Sequence, residues 1–179
     1  KLKADLVTIS HDAPGHNNSD AVKGTTHVLT GAGEFEIGGV FITAVQTAGG
    51  GKKSKDKVRN TLYVFDYDGI TVAHLGDMAE VPTQSEVEAL GTVNVLLLPV
   101  GGGSSLNAAK AAEVVSLIEP NLVIPMHYST DAAKINLDSL NKFLKEMGLG
   151  KVEAQPSLKV TRSGLPEETK VVVLDYQQG

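Results

Sequence analysis

The chain contains no cysteine. Disulfides and thiolate metal sites are therefore excluded, and any metal must rest on imidazole and carboxylate. Tryptophan is also absent, and aromatic residues make up only 4% of the chain. That is too few for a surface that reads single-stranded nucleic acid by base stacking. Positive charge is not in excess. The formal net charge of -5 argues against nucleic acid or an anionic membrane as a general partner. No apolar run approaches the roughly 20 residues needed to cross a bilayer. No secretory signal is visible, so the cytoplasm is the expected location. The Gly-x-Ser-x-Gly pattern of serine hydrolases is missing. So is an initiating Met: Lys1 leads almost at once into a strand-like run, as in a fragment or a processed form.

What is present is ordinary globular material, 41% hydrophobic and 21% charged. A length of 179 residues suits one domain spanning 1–179. Ala4 to Ser10 reads as a buried strand ending at His11, and Val28 with Leu29 as a short one. Glu34 to Ile37 and Val40 to Val45 form a predicted hairpin across Gly38-Gly39. Thr61 to Tyr67 and Ile70 to His74 form another across Asp68-Gly69. Thr83 and Glu86 fit a capping box for a short helix closed by Gly91. Val93 to Leu98 is an apolar run broken only by Asn94, as in a strand buried on both faces. A helix over Ala108 to Ile118 should turn Val114, Leu117 and Ile118 inward. Leu122 to Ile124 is a buried strand leading into Pro125-Met126-His127. Leu137, Leu140, Phe143, Leu144 and Met147 make a helical stripe stopped by Gly148. Lys170 to Leu174 is a late strand. The order, hairpins first and then alternating strands and helices, is mixed α/β, with no linker and no short repeat.

Three strand ends carry potential metal ligands: His11 with His16, Asp77 three residues after His74, and His127. Strand ends in layered α/β proteins open into the crevice where sites form. Imidazole and carboxylate suit zinc, iron or manganese. His74 reads as support for the site or as a core histidine, and His27 as surface or core. The Gly- and Lys-rich stretch 49–57 reads as a mobile, solvated loop, with phosphate binding as the alternative. Gly101-Gly102-Gly103-Ser104-Ser105 lacks the ending of a P-loop and reads as a tight strand-to-helix turn.

Ser10 to Asn18, His74-Leu75-Gly76-Asp77 and Ile124-Pro125-Met126-His127-Tyr128 together resemble successive motifs of the metallo-β-lactamase superfamily. They are most similar to its small lactonase-like branch of zinc-dependent hydrolases. The resemblance runs from about Ala4 to about Met147. It implies an αββα four-layer sandwich, here without the usual N-terminal hairpin. It also implies a metal centre. The family's first motif is His-x-His-x-Asp-His. His11 matches its first His and His16 its last, but Ala13 and Gly15 replace the second His and the Asp. Asp77 matches the Asp that bridges two metals, and His127 the final His. The family's loop His is also missing, where Gln46-Thr47-Ala48-Gly49-Gly50 stands instead.

By this correspondence the family's first metal would keep only His11 and Asp77, and the second His16, Asp77 and His127. At roughly 3 kcal/mol per ligand, two ligands give a dissociation constant of tens of micromolar and three a sub-micromolar one. At most one zinc, iron or manganese ion is therefore expected, on His16, Asp77 and His127. Such an ion makes hydroxide available near neutral pH. Asp77 would orient the water and His11 would carry a proton. The expected activity is hydrolysis of an ester, lactone or phosphoester in a small-molecule substrate. The alternative is a non-catalytic relative that uses the fold as a binding or assembly module. A homo-oligomer or a complementing N-terminal segment would then cover a sheet edge. A nuclease-like use of the Lys-rich loop is the third reading.

Overall fold

A computed structural model describes residues 2–47, 59–132 and 135–176. The expected Lys-rich loop, 49–57, lies outside them. The chain opens with two short strands, β1 (Leu2–Lys3) and β2 (Leu6–Thr8), followed by β3 (Val22–Lys23) and β4 (His27–Leu29). These pair in parallel as two separate two-stranded sheets, β1 with β3 and β2 with β4. The expected first strand, Ala4 to Ser10, is thus confined to Leu6–Thr8. Next come β5 (Gly33–Ile37), β6 (Val40–Thr47), β7 (Asn60–Tyr67) and β8 (Ile70–His74), an antiparallel meander. Both expected hairpins form, with their turns at Gly38-Gly39 and Asp68-Gly69.

From β8 onward the sheet runs parallel. Helix α1 (Gln84–Leu90) precedes β9 (Val95–Pro99), α2 (Ala108–Ile118) precedes β10 (Leu122–Met126), and α3 (Leu140–Glu146) precedes β11 (Lys170–Val171). The main sheet has the order β11-β10-β9-β8-β7-β6-β5. Helix α1 starts on the expected reciprocal cap between Thr83 and Glu86, which satisfies two end donors. Asn107 caps α2. In α2 the inward residues are Ala108, Ala111, Val114 and Val115, with Ile118 partly buried against the same core. Leu117, expected inward, is instead 43% exposed. At about 3.6 residues per turn it falls on the far side of Val114 from Ala111, Val115 and Ile118.

One face of the main sheet, through Leu62, Leu75, Leu96, Leu98 and Val123, packs on all three helices. On the other face, Ile42, Ala44 and Tyr63 meet Leu6 and Leu29 of the β2–β4 layer. The Tyr63 hydroxyl lies 3.0 Å from the carbonyl oxygens of both Ile9 and Leu29. This ties the small layer to β7, and burial raises the phenol pKa above its usual value. Toward the β11 edge, Leu158, Val160 and Leu165 cover Val95, Leu122 and Val172.

This topology decides where a site can form. Strands β8, β9 and β10 are parallel, so their C-terminal ends share one edge of the sheet. Strand β7 is antiparallel to β8, so its first residues lie at that same edge. The Thr61 amide donates to the Ser10 carbonyl at 2.7 Å, which brings the segment after β2 there as well. At the end of β9, Gly101 passes directly under the next crossover. A Cβ there would overlap the His127 carbonyl oxygen and approach Tyr128 Cα to 2.8 Å.

Two outcomes follow from these contacts. Gly101→Ala should lower stability by about 2 kcal/mol through overpacking, seen as a lower Tm; an unchanged Tm would show that the two crossovers move apart freely. The second concerns His74, which is partly buried and accepts the Gly76 amide on Nδ1 at 3.0 Å. Desolvation by burial lowers its pKa below the ordinary histidine value. The unfolded chain then binds more protons than the folded one as pH falls through about 6.5, so stability should drop there. His74→Asn keeps an acceptor but cannot titrate, and should flatten the fall in Tm between about pH 8 and pH 5. Equal slopes for the two proteins would contradict this role for His74.

Candidate metal centre

The segment after β2 places its two histidines through a turn. The His16 amide donates to the Ala13 carbonyl at 3.0 Å, with Pro14 and Gly15 at the two corners. Gly15 has φ +87, and Pro followed by a positive-φ Gly is the type II turn pattern. The two positions where the family motif would carry His and Asp are thus used to fold the chain back. An Asp at position 15 would have to adopt a backbone conformation that side chains disfavour. The turn sets the His16 ring beside His11, with centroids 4.5 Å apart. Asp12 and Asn17 are also hydrogen bonded across it.

His11 Nδ1 lies 3.0 Å from Ser10 Oγ, which leaves Nε2 facing Asp77. Nε2 is 3.9 Å from Asp77 Oδ2, and the two side chains are only 7% and 10% exposed. Burial, followed by the neighbouring His16 charge, lowers the His11 pKa, while Asp77 opposes the shift. The ring is therefore neutral at neutral pH and keeps a lone pair for a ligand bond. His16 Nδ1 lies 3.4 Å from the Pro14 carbonyl. A carbonyl can only accept, so Nδ1 carries the proton and Nε2 is bare.

Asp77 stands just beyond β8. Its Oδ2 accepts a hydrogen bond from Ser104 at 2.7 Å. Its Oδ1 is buried and has no hydrogen-bond partner among the described residues. His127 approaches that second oxygen, with Nδ1 3.9 Å away. The Ser105 hydroxyl donates to the Gly102 carbonyl at 2.9 Å and lies 3.1 Å from His127 Nδ1. Its single proton is already committed, so it accepts from Nδ1, and Nε2 of His127 is the bare nitrogen. His127 also holds φ +52. A non-glycine residue in this region stores about 1–3 kcal/mol of strain, and such residues cluster at functional sites.

The sequence candidates therefore meet in one place. His11, His16 and Asp77 each offer a ligand atom, all within 4.8 Å of one another. His127 closes the other side of Asp77, its ring centroid 5.9 Å from that of His16. The tight trio includes His11, where the sequence expectation had His127. His27 is exposed in β4, and neither it nor His74 joins the cluster. The 3.9 Å between His11 Nε2 and Asp77 Oδ2 is too long for a hydrogen bond but suits two donors sharing an ion at about 2.0–2.2 Å from each. The His127 atom 3.9 Å from Oδ1 is its protonated Nδ1 and does not bind one in this tautomer. The unpartnered Oδ1, a neutral His11 and two bare imidazole nitrogens are the donor set a divalent metal requires.

Sequence reasoning missed three contributors. Ser104 and Ser105 stood in the Gly-rich turn, and only a structure shows that they touch Asp77 and His127. Buried Asn60 accepts the Asp77 amide at 2.9 Å; a polar residue opening an apolar strand was its only signal.

Comparison with known proteins agrees with this architecture. The model of the Beta-lactamase superfamily domain matches residues 1–127. The UPF0173 metal-dependent hydrolase of Thermococcus onnurineus is 30% identical over 156 residues, 73% of this chain and 69% of that protein. A relative from Pyrococcus abyssi is 34% identical over 115 residues, 63% of this chain. That match spans only 51% of the Pyrococcus protein. Among solved structures, a Thermotoga maritima protein of the metallo-β-lactamase superfamily superposes with a TM-score of 0.82 at 36% identity. The match covers 99% of this chain and 84% of that one. The fold is thus the metallo-β-lactamase one that the motifs implied, and the chain belongs to the metallo-β-lactamase superfamily.

Proposed function

We propose that the chain is a metal-dependent hydrolase whose reduced centre holds one divalent ion, zinc, iron or manganese, for cleavage of an ester, lactone or phosphoester. The observation that carries this reading is the trio His11, His16 and Asp77, whose ligand atoms lie within 4.8 Å of one another, with the second oxygen of the same carboxylate group, Oδ1, buried and unpartnered among the described residues. The names of the relatives support it at the level of class: those from Thermococcus and Pyrococcus are metal-dependent hydrolases.

In this reading His11, His16 and Asp77 hold the ion, and His127 flanks the same carboxylate. A bound divalent ion supplies Lewis acidity and a nucleophile drawn from water at neutral pH. The protein's own groups do the rest. Ser104 fixes Asp77 Oδ2, which limits rotation of the carboxylate. Ser105 fixes the His127 ring through Nδ1 and leaves Nε2 to bind a ligand or accept a proton. The low pKa of His11 keeps its nitrogen unprotonated, so binding an ion there need not displace a proton.

A second reading, a non-catalytic relative that serves as a binding or assembly module, is favoured by the Ala13–His16 turn. There the first-motif positions are committed to backbone geometry instead of ligation.

Metal analysis after incubation with excess zinc, manganese or ferrous iron separates the two. About one ion per chain is expected, and His11→Ala or His16→Ala should weaken binding about a hundredfold, roughly 3 kcal/mol per ligand. The loaded chain should hydrolyse at least one of an aryl acetate, an acyl lactone or an aryl phosphodiester, and chelation should remove that activity. Metal content near zero under all three conditions would refute the hydrolase reading, while binding without turnover would favour the module.

A further inference from the structure

We infer that Asn60 is a positioning residue that sets where Asp77 presents its carboxylate, so that metal affinity depends on an amide outside the ligand set. The inference rests on the metal-site reading above.

Asn60 is the first residue of β7 and is 2% exposed. Its side chain makes three hydrogen bonds. Nδ2 donates to the Leu75 carbonyl at 2.9 Å and to Thr47 Oγ1 at 3.3 Å. Oδ1 accepts the Asp77 amide at 2.9 Å. The amide thus grips the chain on both sides of Gly76, just past the end of β8, where the Leu75 amide still reaches the Leu97 carbonyl and the Gly76 amide is held by His74 Nδ1. Gly76 has φ +62, and a Cβ there would overlap Asn60 Oδ1 and lie 3.1 Å from Ser10 Oγ. Asn60, Gly76 and Ser10 therefore interlock. Ser10 in turn is held by the Thr61 amide and contacts His11 Nδ1. Two adjacent residues of β7, Asn60 and Thr61, consequently fix both the Asp77 turn and the His11 strand end.

Only an amide side chain of this length meets the demand. Aspartate would set an acceptor against the Leu75 carbonyl. Leucine would leave a buried N–H and C=O without partners. Partners of this kind, one bond removed from a ligand, typically change metal affinity by 10–100-fold when lost.

The test uses cobalt(II) as a visible probe on the full chain, comparing wild type with Asn60→Ala and Thr47→Val. Thr47→Val removes Asn60's other partner and leaves both bonds around Gly76 intact. It serves as the control for a general loss of stability. Asn60→Ala should weaken cobalt binding at least tenfold and alter the ligand-field spectrum. Thr47→Val should leave affinity within about twofold and the spectrum unchanged, even where its Tm falls. If Asn60→Ala does not fold, Asn60→Asp takes its place, with a loss of about tenfold expected. Wild-type affinity and spectrum in the folded Asn60 variant would overturn the inference while leaving the metal site standing. No cobalt binding by the wild-type chain would overturn the metal-site reading and this inference with it.

Discussion

A carboxylate oxygen held away from water without a hydrogen bond is costly, on the order of 1–3 kcal/mol or more for a charged acceptor. Asp77 Oδ1 is such an atom, and the surrounding structure is arranged about it. Its backbone amide is taken by Asn60, its other oxygen by Ser104, and its flanks by His11 and His127. None of these supplies Oδ1 with a hydrogen bond. A divalent cation would supply the missing counter-charge, which makes the electrostatics of one oxygen the reason that residues from four parts of the chain converge.

The convergence depends on the change of strand direction at β8. Antiparallel pairing of β7 with β8, followed by parallel β9 and β10, sends the start of one strand and the ends of three others to the same sheet edge. Tyr63 adds the last piece, because its hydroxyl pins the β2–β4 layer over β7, from which Ser10 and His11 emerge. The strained φ of His127 and the bare Gly101 beneath it are the local adjustments that let two crossovers meet at the centre.

Much of this was legible in the residues. Alternating and continuous apolar runs located the strands of the main sheet, and the Thr83–Glu86 cap located the start of α1, because these signals are local. The four ligand candidates were legible because each follows a strand end. What escaped was non-local. That Ala13 and Gly15 replace ligands could be read, but not that they do so to build a turn that folds His16 back onto His11. Asn60 could not be singled out, since its value lies in three partners scattered from Thr47 to Asp77. Leu117 was misplaced because its apolar character was read without its angle around the helix.

The most direct measurement is an anomalous-difference map from crystals of the chain grown with manganese or zinc. A peak bonded to Asp77 and to the His11 and His16 imidazoles, at about 2.0–2.2 Å, is the result expected if the buried carboxylate is the anchor of a metal centre. A map without a peak there, with Asp77 Oδ1 instead hydrogen bonded to an ordered water or a neighbouring side chain, would contradict it.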